Sequence, residues 1–332
     1  MIPQKLIAEK AGVSFATVSR ALTHSAKVRP ETLKRIRNAM LELGITDTEN
    51  LFLGKDALSK MVLVVVGDIC KEFFANIIVG LSDVLAAHGY SIVLCNSHYD
   101  TKKEMEVIRS AHENYYAGIV LITVVESKEL VEFLSHASIP VVLVNRYIRS
   151  LDLDVVRIDN YRGGYLAAQH LMENGHRRIA HLAGPQTSSA VEDRLRGFQH
   201  AMQDNGLTLS DDSIVFGDLS RECGKEFANW LSQKDYTAAY IGNDYMAAGA
   251  VHQLTKLGRR VPEDLSIISF DDSPLISEDG LSITCIGYDS KTMGTYAAET
   301  LLKRIADPLA HCVKTICSPN LTIRGSVRRL ER

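Results

Sequence analysis

The chain has 332 residues, 46% of them hydrophobic and 23% charged, which is the composition of a soluble globular protein long enough for more than one domain. Its longest apolar run, Met61–Val66, is strand-sized, which excludes a membrane-spanning helix, and the N-terminus lacks a charged-then-apolar leader, so a cytoplasmic protein is expected. The formal charge of −3 is unevenly spread: residues 1–45 hold eight Lys/Arg against three Glu, leaving +5 on a short head and −8 on the remainder. Such a head attracts phosphate while the body repels nucleic acid.

The head reads as three helices. Ile7, Ala8 and Ala11 share one helical face, and Gly12 supplies the positive φ at which a helix stops and the chain turns. Ser14 stands as N-cap of a second helix whose inner face is Val18, Ala21 and Leu22. Its outer face carries Phe15, Ala16 and Arg20, with Thr17 and Ser19 beside them. This is the plan of a helix-turn-helix, in which the second helix enters the DNA major groove. An ordinary amphipathic helix pair is the bland alternative, and the clustered basic charge argues against it. Pro30 opens a third helix, with Leu33, Ile36, Met40 and Leu43 at helical spacing and Gly44 as its stop. The head therefore spans 1–45, and the polar, mixed-charge stretch 46–60 is the connector.

From Met61 onward apolar strand runs alternate with helices of about a dozen residues. The strands are 61–66, 91–96, 118–123, 140–145, 155–159, 178–184, 238–242 and 265–270. This pattern predicts parallel sheets covered on both faces. Ten or so strands suit two βαβ lobes better than one sheet, with a change of lobe near Asp159–Tyr161. Ligands of such sheets collect at the carboxyl ends of the strands. Six scattered cysteines without a C-x-x-C pair predict reduced thiols, with neither disulfides nor a metal site. No phosphate-binding loop, nucleophile elbow or H-E-x-x-H motif is present, so an enzyme is not expected, nor is a cofactor.

Several segments carry a family resemblance: A-G-V-S-F-A-T-V-S-R-A-L, V-R-P-E-T, H-G-Y-S-I-V-L-C-N-S, D-N-Y-R-G-G-Y-L-A-A-Q-H-L, G-H-R-R-I-A-H-L-A-G-P, D-R-L-R-G-F, N-D-Y-M-A-A-G-A and V-P-E-D-L-S-I-I-S-F-D-D. Together, and in this order, they make the chain resemble the lactose-repressor/purine-repressor family of bacterial transcription regulators, essentially end to end. The resemblance implies an α/β body of two doubly wound lobes like a periplasmic binding protein behind a helix-turn-helix head. It also implies a homodimer on a palindromic operator, controlled by a small effector between the lobes. Lobe 1 is expected over about 61–160 and 288–316, and lobe 2 over about 161–287 and 317–328.

The family's base-reading positions fall on Phe15, Ala16 and Arg20. Arg20 is suited to the O6 and N7 of a guanine, and Phe15 and Ala16 to a thymine methyl. Ser14, Thr17 and Ser19 are suited to phosphates. The hinge departs from the family's Tyr-Arg-Pro-Asn-Ala pattern. It reads I-T-D-T-E-N-L-F-L-G, with Asp47 and Glu49 added and Asn50 near the position of a minor-groove leucine. Acidic residues suit the minor groove badly, so wedging by Leu51 or Leu53 is not expected.

For the effector, strand ends nominate Asp68 and Phe73, Asn145 and Arg146, Asp159 at the lobe crossing, Asn243, and Asp271. The resemblance adds Arg194, at a predicted helix start, and ranks it with Asp271 as the strongest pair. Leu219 falls where relatives place a stacking aromatic, which favours a sugar-like effector over the alternative, a nucleobase. Asp244 reads as a helix cap. A free-standing sugar-binding module is the rival for the body alone, and the basic head argues against it.

Overall fold

The computed structural model describes residues 4–23, 28–45, 60–114, 116–277 and 282–331. The connector expected at 46–60, with Asp47, Glu49, Asn50, Leu51 and Leu53, lies outside the described residues except for Lys60.

Helices α1 (Gln4–Ala11), α2 (Phe15–Thr23) and α3 (Pro30–Glu42) make the head. They close over Ile7, Ala8, Ala11, Val18, Ala21, Ile36, Ala39 and Met40. Gly12 ends α1 at φ +60°. The head has a brace that helical periodicity does not reveal. The Arg35 guanidinium of α3 donates from Nη2 to the carbonyls of Ala11 and Gly12, at 2.7 and 2.9 Å.

The body holds two six-stranded sheets. The first contains β1 (Met61–Val66), β2 (Ser91–Asn96), β3 (Gly118–Leu121), β4 (Val141–Val144), β5 (Asp154–Ile158) and β11 (Lys314–Cys317). Its order is β11-β5-β4-β3-β1-β2, all parallel. Helices α4 (Glu72–Ala87), α5 (Thr101–Glu113) and α6 (Lys128–His136) connect its strands. Alternate residues of β1 serve opposite faces. Val62, Val64 and Val66 pack with Ile77 and Leu81 of α4. Leu63 and Val65 pack with Met105 and Ile108 of α5.

The second sheet contains β6 (Ile179–Ala183), β7 (Ile214–Phe216), β8 (Ala238–Ile241), β9 (Ser266–Phe270), β10 (Thr284–Gly287) and β12 (Asn320–Thr322). Its order is β12-β10-β9-β8-β6-β7, parallel apart from β10–β12. Its helices are α7 (Asn160–Glu173), α8 (Ser189–Asp204), α9 (Arg221–Ser232), α10 (Asp244–Lys256) and the short α11 (Pro274–Ser277). Helix α12 (Ser290–Ala306) returns to the first lobe. The chain thus crosses between lobes between β5 and α7, between β10 and α12, and between β11 and β12, each time within a few residues.

Periodicity assigns no element to 206–237, where the structure has β7 and α9. β7 is a three-residue, partly exposed edge strand, too short to carry a pattern. The first turns of α9 are polar, and most of its apolar face comes late, at Phe227, Ala228 and Leu231.

Three helix pairs approach unusually closely, each through one glycine per helix. A Cβ on Gly80 or Gly294 would collide with the backbone of the partner in α4/α12, on Gly164 or Gly197 in α7/α8, and on Gly224 or Gly249 in α9/α10. No helix among the described residues is long and apolar enough to cross a membrane.

Candidate functional site

On the head, the Ser14 hydroxyl accepts from the Thr17 amide at 3.1 Å, so Ser14 caps α2. The two hydroxyls also bond each other at 2.8 Å. Phe15 is 52% exposed, which rules out its packing into the head core. Ala16 and Arg20 are exposed beside it, while Thr17 and Ser19 are half-buried. Phe15, Ala16 and Arg20 therefore present one accessible face, and the capped turn braced by Arg35 fixes its angle.

In the body, Phe73, Asn145, Arg146, Arg194, Leu219, Asn243 and Asp271 meet in one narrow cleft between the lobes, with a cavity volume of about 40 Å³, partly open to solvent. Lys71, Phe74, Ser188 and Asp244 share its walls. Three of these residues sit just beyond strand ends with left-handed backbones: Asn145 (φ +67°) after β4, Leu219 (φ +68°) after β7, and Asp271 (φ +67°) after β9. Non-glycine residues adopt this conformation at a cost, and such strain clusters where side chains must be aimed.

Arg146 is buried and donates from Nη1 to the Thr123 carbonyl at 2.9 Å, while its Nε has no partner. Burial pushes its pKa down to about 10, so it stays charged at neutral pH. Arg194 donates to Asn160 Oδ1 at 3.2 Å and lies 4.4 Å above the Phe270 ring, a cation–π contact. Asp271 is pushed up to about 7, first by burial and then by the neighbouring Asp244. Burial also raises Asp244, which accepts from the Ser273 hydroxyl at 2.5 Å and from the Tyr245 amide at 2.8 Å. Two neighbouring carboxyls, one buried and one half-buried, resist ionising together. The Lys71 ammonium donates to the Tyr99 hydroxyl at 3.3 Å and the Leu219 carbonyl at 3.4 Å, and burial lowers its pKa.

Several expectations are corrected here. Arg194 is not at a helix start: α8 begins at Ser189, and Arg194 lies buried in its second turn. The two carboxylates that precede it in sequence are engaged elsewhere, Glu192 with Arg149 and Asp193 with Arg157 and Arg196. Asn243, not Asp244, caps α10, with its side chain accepting from the Met246 amide at 3.0 Å. Asp244 instead lines the cleft, with its carboxyl held by the Ser273 hydroxyl and the Tyr245 amide. Asp68 accepts from the Cys70 amide at 3.0 Å, and Asp159 caps α7 through the Arg162 amide at 2.9 Å. Neither of these two lines the cleft. Lys71 is missed because it lies five positions past β1, where the connecting loop folds back over the strand ends.

Among the described residues no group of three or more His, Cys, Asp or Glu is placed to hold a metal.

Comparison with known proteins agrees with both halves. Residues 5–46 match the profile "Bacterial regulatory proteins, lacI family" and 168–327 match "Periplasmic binding protein-like domain". The HTH-type transcriptional regulator DegA of Bacillus subtilis (strain 168) is 29% identical over 98% of this chain and 97% of its own. The HTH-type transcriptional repressor CytR of Escherichia coli (strain K12) is 32% identical over 98% and 96%. A solved structure of a LacI family transcriptional regulator from Enterococcus faecium with bound ribose is 26% identical, with a TM-score of 0.74 over 82% of this chain and 100% of that one. The chain belongs to the lacI family of bacterial regulatory proteins, DNA-binding transcription regulators with a periplasmic-binding-protein-like body that takes an effector.

Proposed function

We propose that the protein is a cytoplasmic repressor that binds a palindromic operator as a homodimer. A small, polar, sugar-like effector between the lobes controls its operator affinity. The observation that carries this reading is the convergence of buried Arg146 and Arg194 and half-buried Asp271 on one cleft, in the same chain as an exposed Phe15–Ala16–Arg20 face. One helix-turn-helix reads only a few base pairs, so useful specificity needs two heads across a palindrome. Leu219 in place of an aromatic ring, and the ribose held by the Enterococcus faecium relative, favour a sugar over a nucleobase.

Selection from random duplexes tests this. A palindromic site should emerge, bound by a dimer with a steep salt dependence. Arg20→Ala should cost about 1–3 kcal/mol and relax specificity at one base pair of each half-site. Leu51→Ala should cost much less, because the acidic connector leaves base reading to the heads. Binding that prefers no palindrome over random DNA would sink the proposal.

A further inference from the structure

The cleft has more cationic groups than a neutral sugar needs. Lys71 and Arg146 reach it from the first lobe and Arg194 from the second. Elsewhere three of the four half-buried arginines among the described residues are matched, Arg157 with Asp193 at 3.4 Å, Arg304 with Asp154 at 2.7 Å, and Arg324 with Asp272 at 2.7 Å, and Arg259 alone is not. None of the three cleft cations makes an ion pair with a carboxylate among the described residues. Their hydrogen bonds go to neutral oxygens, on Tyr99 and Leu219, Thr123, and Asn160. Arg146 is 3% exposed and its Nε is unsatisfied. A buried, charged donor without a partner is costly and marks a place that something else completes.

Carboxylates do surround these cations, with Asp68, Asp218, Asp244 and Asp271 acting on Lys71 and Glu104 on Arg146, but among the described residues none comes within ion-pairing distance of them. Asp244 is already engaged by Ser273, and Asp244 and Asp271 suppress each other's ionisation.

We infer that the effector carries an anionic group, a carboxylate or a phosphate on a sugar-like ring, held between Lys71, Arg146 and Arg194. This rests on the sugar-like effector proposed above and names its charge. Guanidinium forks suit both oxyanions, and Lys71 adds a point charge. Asp271 and Asn145 remain to accept from and donate to ring hydroxyls. Because the cations come from both lobes, an anion held among them bridges the lobes, and it offsets the mutual repulsion of Arg146 and Arg194.

The test uses the full chain and sugars matched in all but the charged group. Glucose is set against glucuronate and glucose 6-phosphate, galactose against galacturonate and galactose 6-phosphate, and ribose against ribose 5-phosphate, by thermal shift and calorimetric titration. In at least one set a charged member should bind at least tenfold more tightly than its neutral partner. The arm that responds identifies carboxylate or phosphate. Lys71→Met should narrow that ratio about tenfold, with Lys71→Gln as a second variant should the first melt early. A neutral member binding as tightly as its charged partners would overturn the anionic inference and leave the sugar cleft standing. No stabilisation by any member would overturn both.

Discussion

The hydroxyl of Tyr245, at the start of α10 in the second lobe, donates a 3.0 Å hydrogen bond to the carbonyl of Cys70 on the rim of the first. Lys71, the next residue, bonds the Leu219 carbonyl on the far wall at 3.4 Å. On the opposite flank the Tyr147 amide donates to the Ser189 hydroxyl at 3.0 Å. The lobes are thus tied across the cleft by direct hydrogen bonds between protein groups. Each such bond is worth about 1 kcal/mol, enough to move a two-state equilibrium about fivefold. Tyr245→Phe should therefore shift the unliganded protein toward an open form, seen as a larger radius of gyration in solution scattering. Effector affinity should fall about fivefold, since closure then costs more. A variant with unchanged dimensions and affinity would show that the bond does not hold the lobes.

Replacement of Asp271 separates stability from function. An aspartate titrates near 3.9 in the unfolded chain, and burial beside Asp244 pushes Asp271 up to about 7. With the folded value raised, the buried charge costs stability progressively as pH rises from about 4 to 7, and fully above that. Asp271→Asn removes the cost and should raise the melting temperature of the unliganded protein at pH 8. It should also abolish effector-induced stabilisation. An Asn variant that is less stable at pH 8 would show that the carboxylate is already compensated.

The legible and illegible parts of this molecule divide by range. M-V-L-V-V-V announces a strand because β1 is buried on both faces, and G-V-S announces a turn because Gly12 and Ser14 act on their immediate neighbours. Strand ends are equally local, which is why Asn145, Asn243 and Asp271 can be nominated from sequence. What escapes is decided at long range. Asp68 stands two residues past β1 and turns into a local amide, whereas Lys71, three further on, spans the cleft to a carbonyl 148 positions away. Arg35, 23 positions from the turn that it braces, escapes for the same reason.

His181 provides a pH dependence of the opposite sign. Its ring stacks on Tyr240 at 4.4 Å and on Phe198 at 5.5 Å, and its Nδ1 bonds the Tyr240 carbonyl at 3.0 Å. Full burial pushes its pKa down to about 4. Below about 6.5 the unfolded chain takes up a proton that the folded protein refuses. Stability is therefore complete above that pH and falls by about 3 kcal/mol as pH drops toward 4. His170 and His176, also lowered by burial, add to the slope. Urea unfolding of the unliganded body between pH 7 and 4.5 should show the loss, and His181→Gln should flatten it. A slope unchanged in the variant would place the acid sensitivity elsewhere.

Arg35 tests whether the reading face depends on the turn behind it. Its bonds to the Ala11 and Gly12 carbonyls fix α3 against the α1–α2 turn, and a Cβ on Gly12 would stand only 2.8 Å from its Nη2. A three-helix head of about 40 residues has little stability to spare, so losing about 1 kcal/mol is felt. Arg35→Met should lower operator affinity about fivefold or more, increasingly so on warming, while calorimetric binding of effector to the body is unaffected. The charge alone does not explain such a loss if Arg35→Lys fails to restore it, because one ammonium without the guanidinium fork cannot reproduce the same brace. Full affinity in the lysine variant would instead mean that Arg35 serves by attracting phosphate, and that the angle of Phe15, Ala16 and Arg20 is set by Gly12 and Ser14 alone.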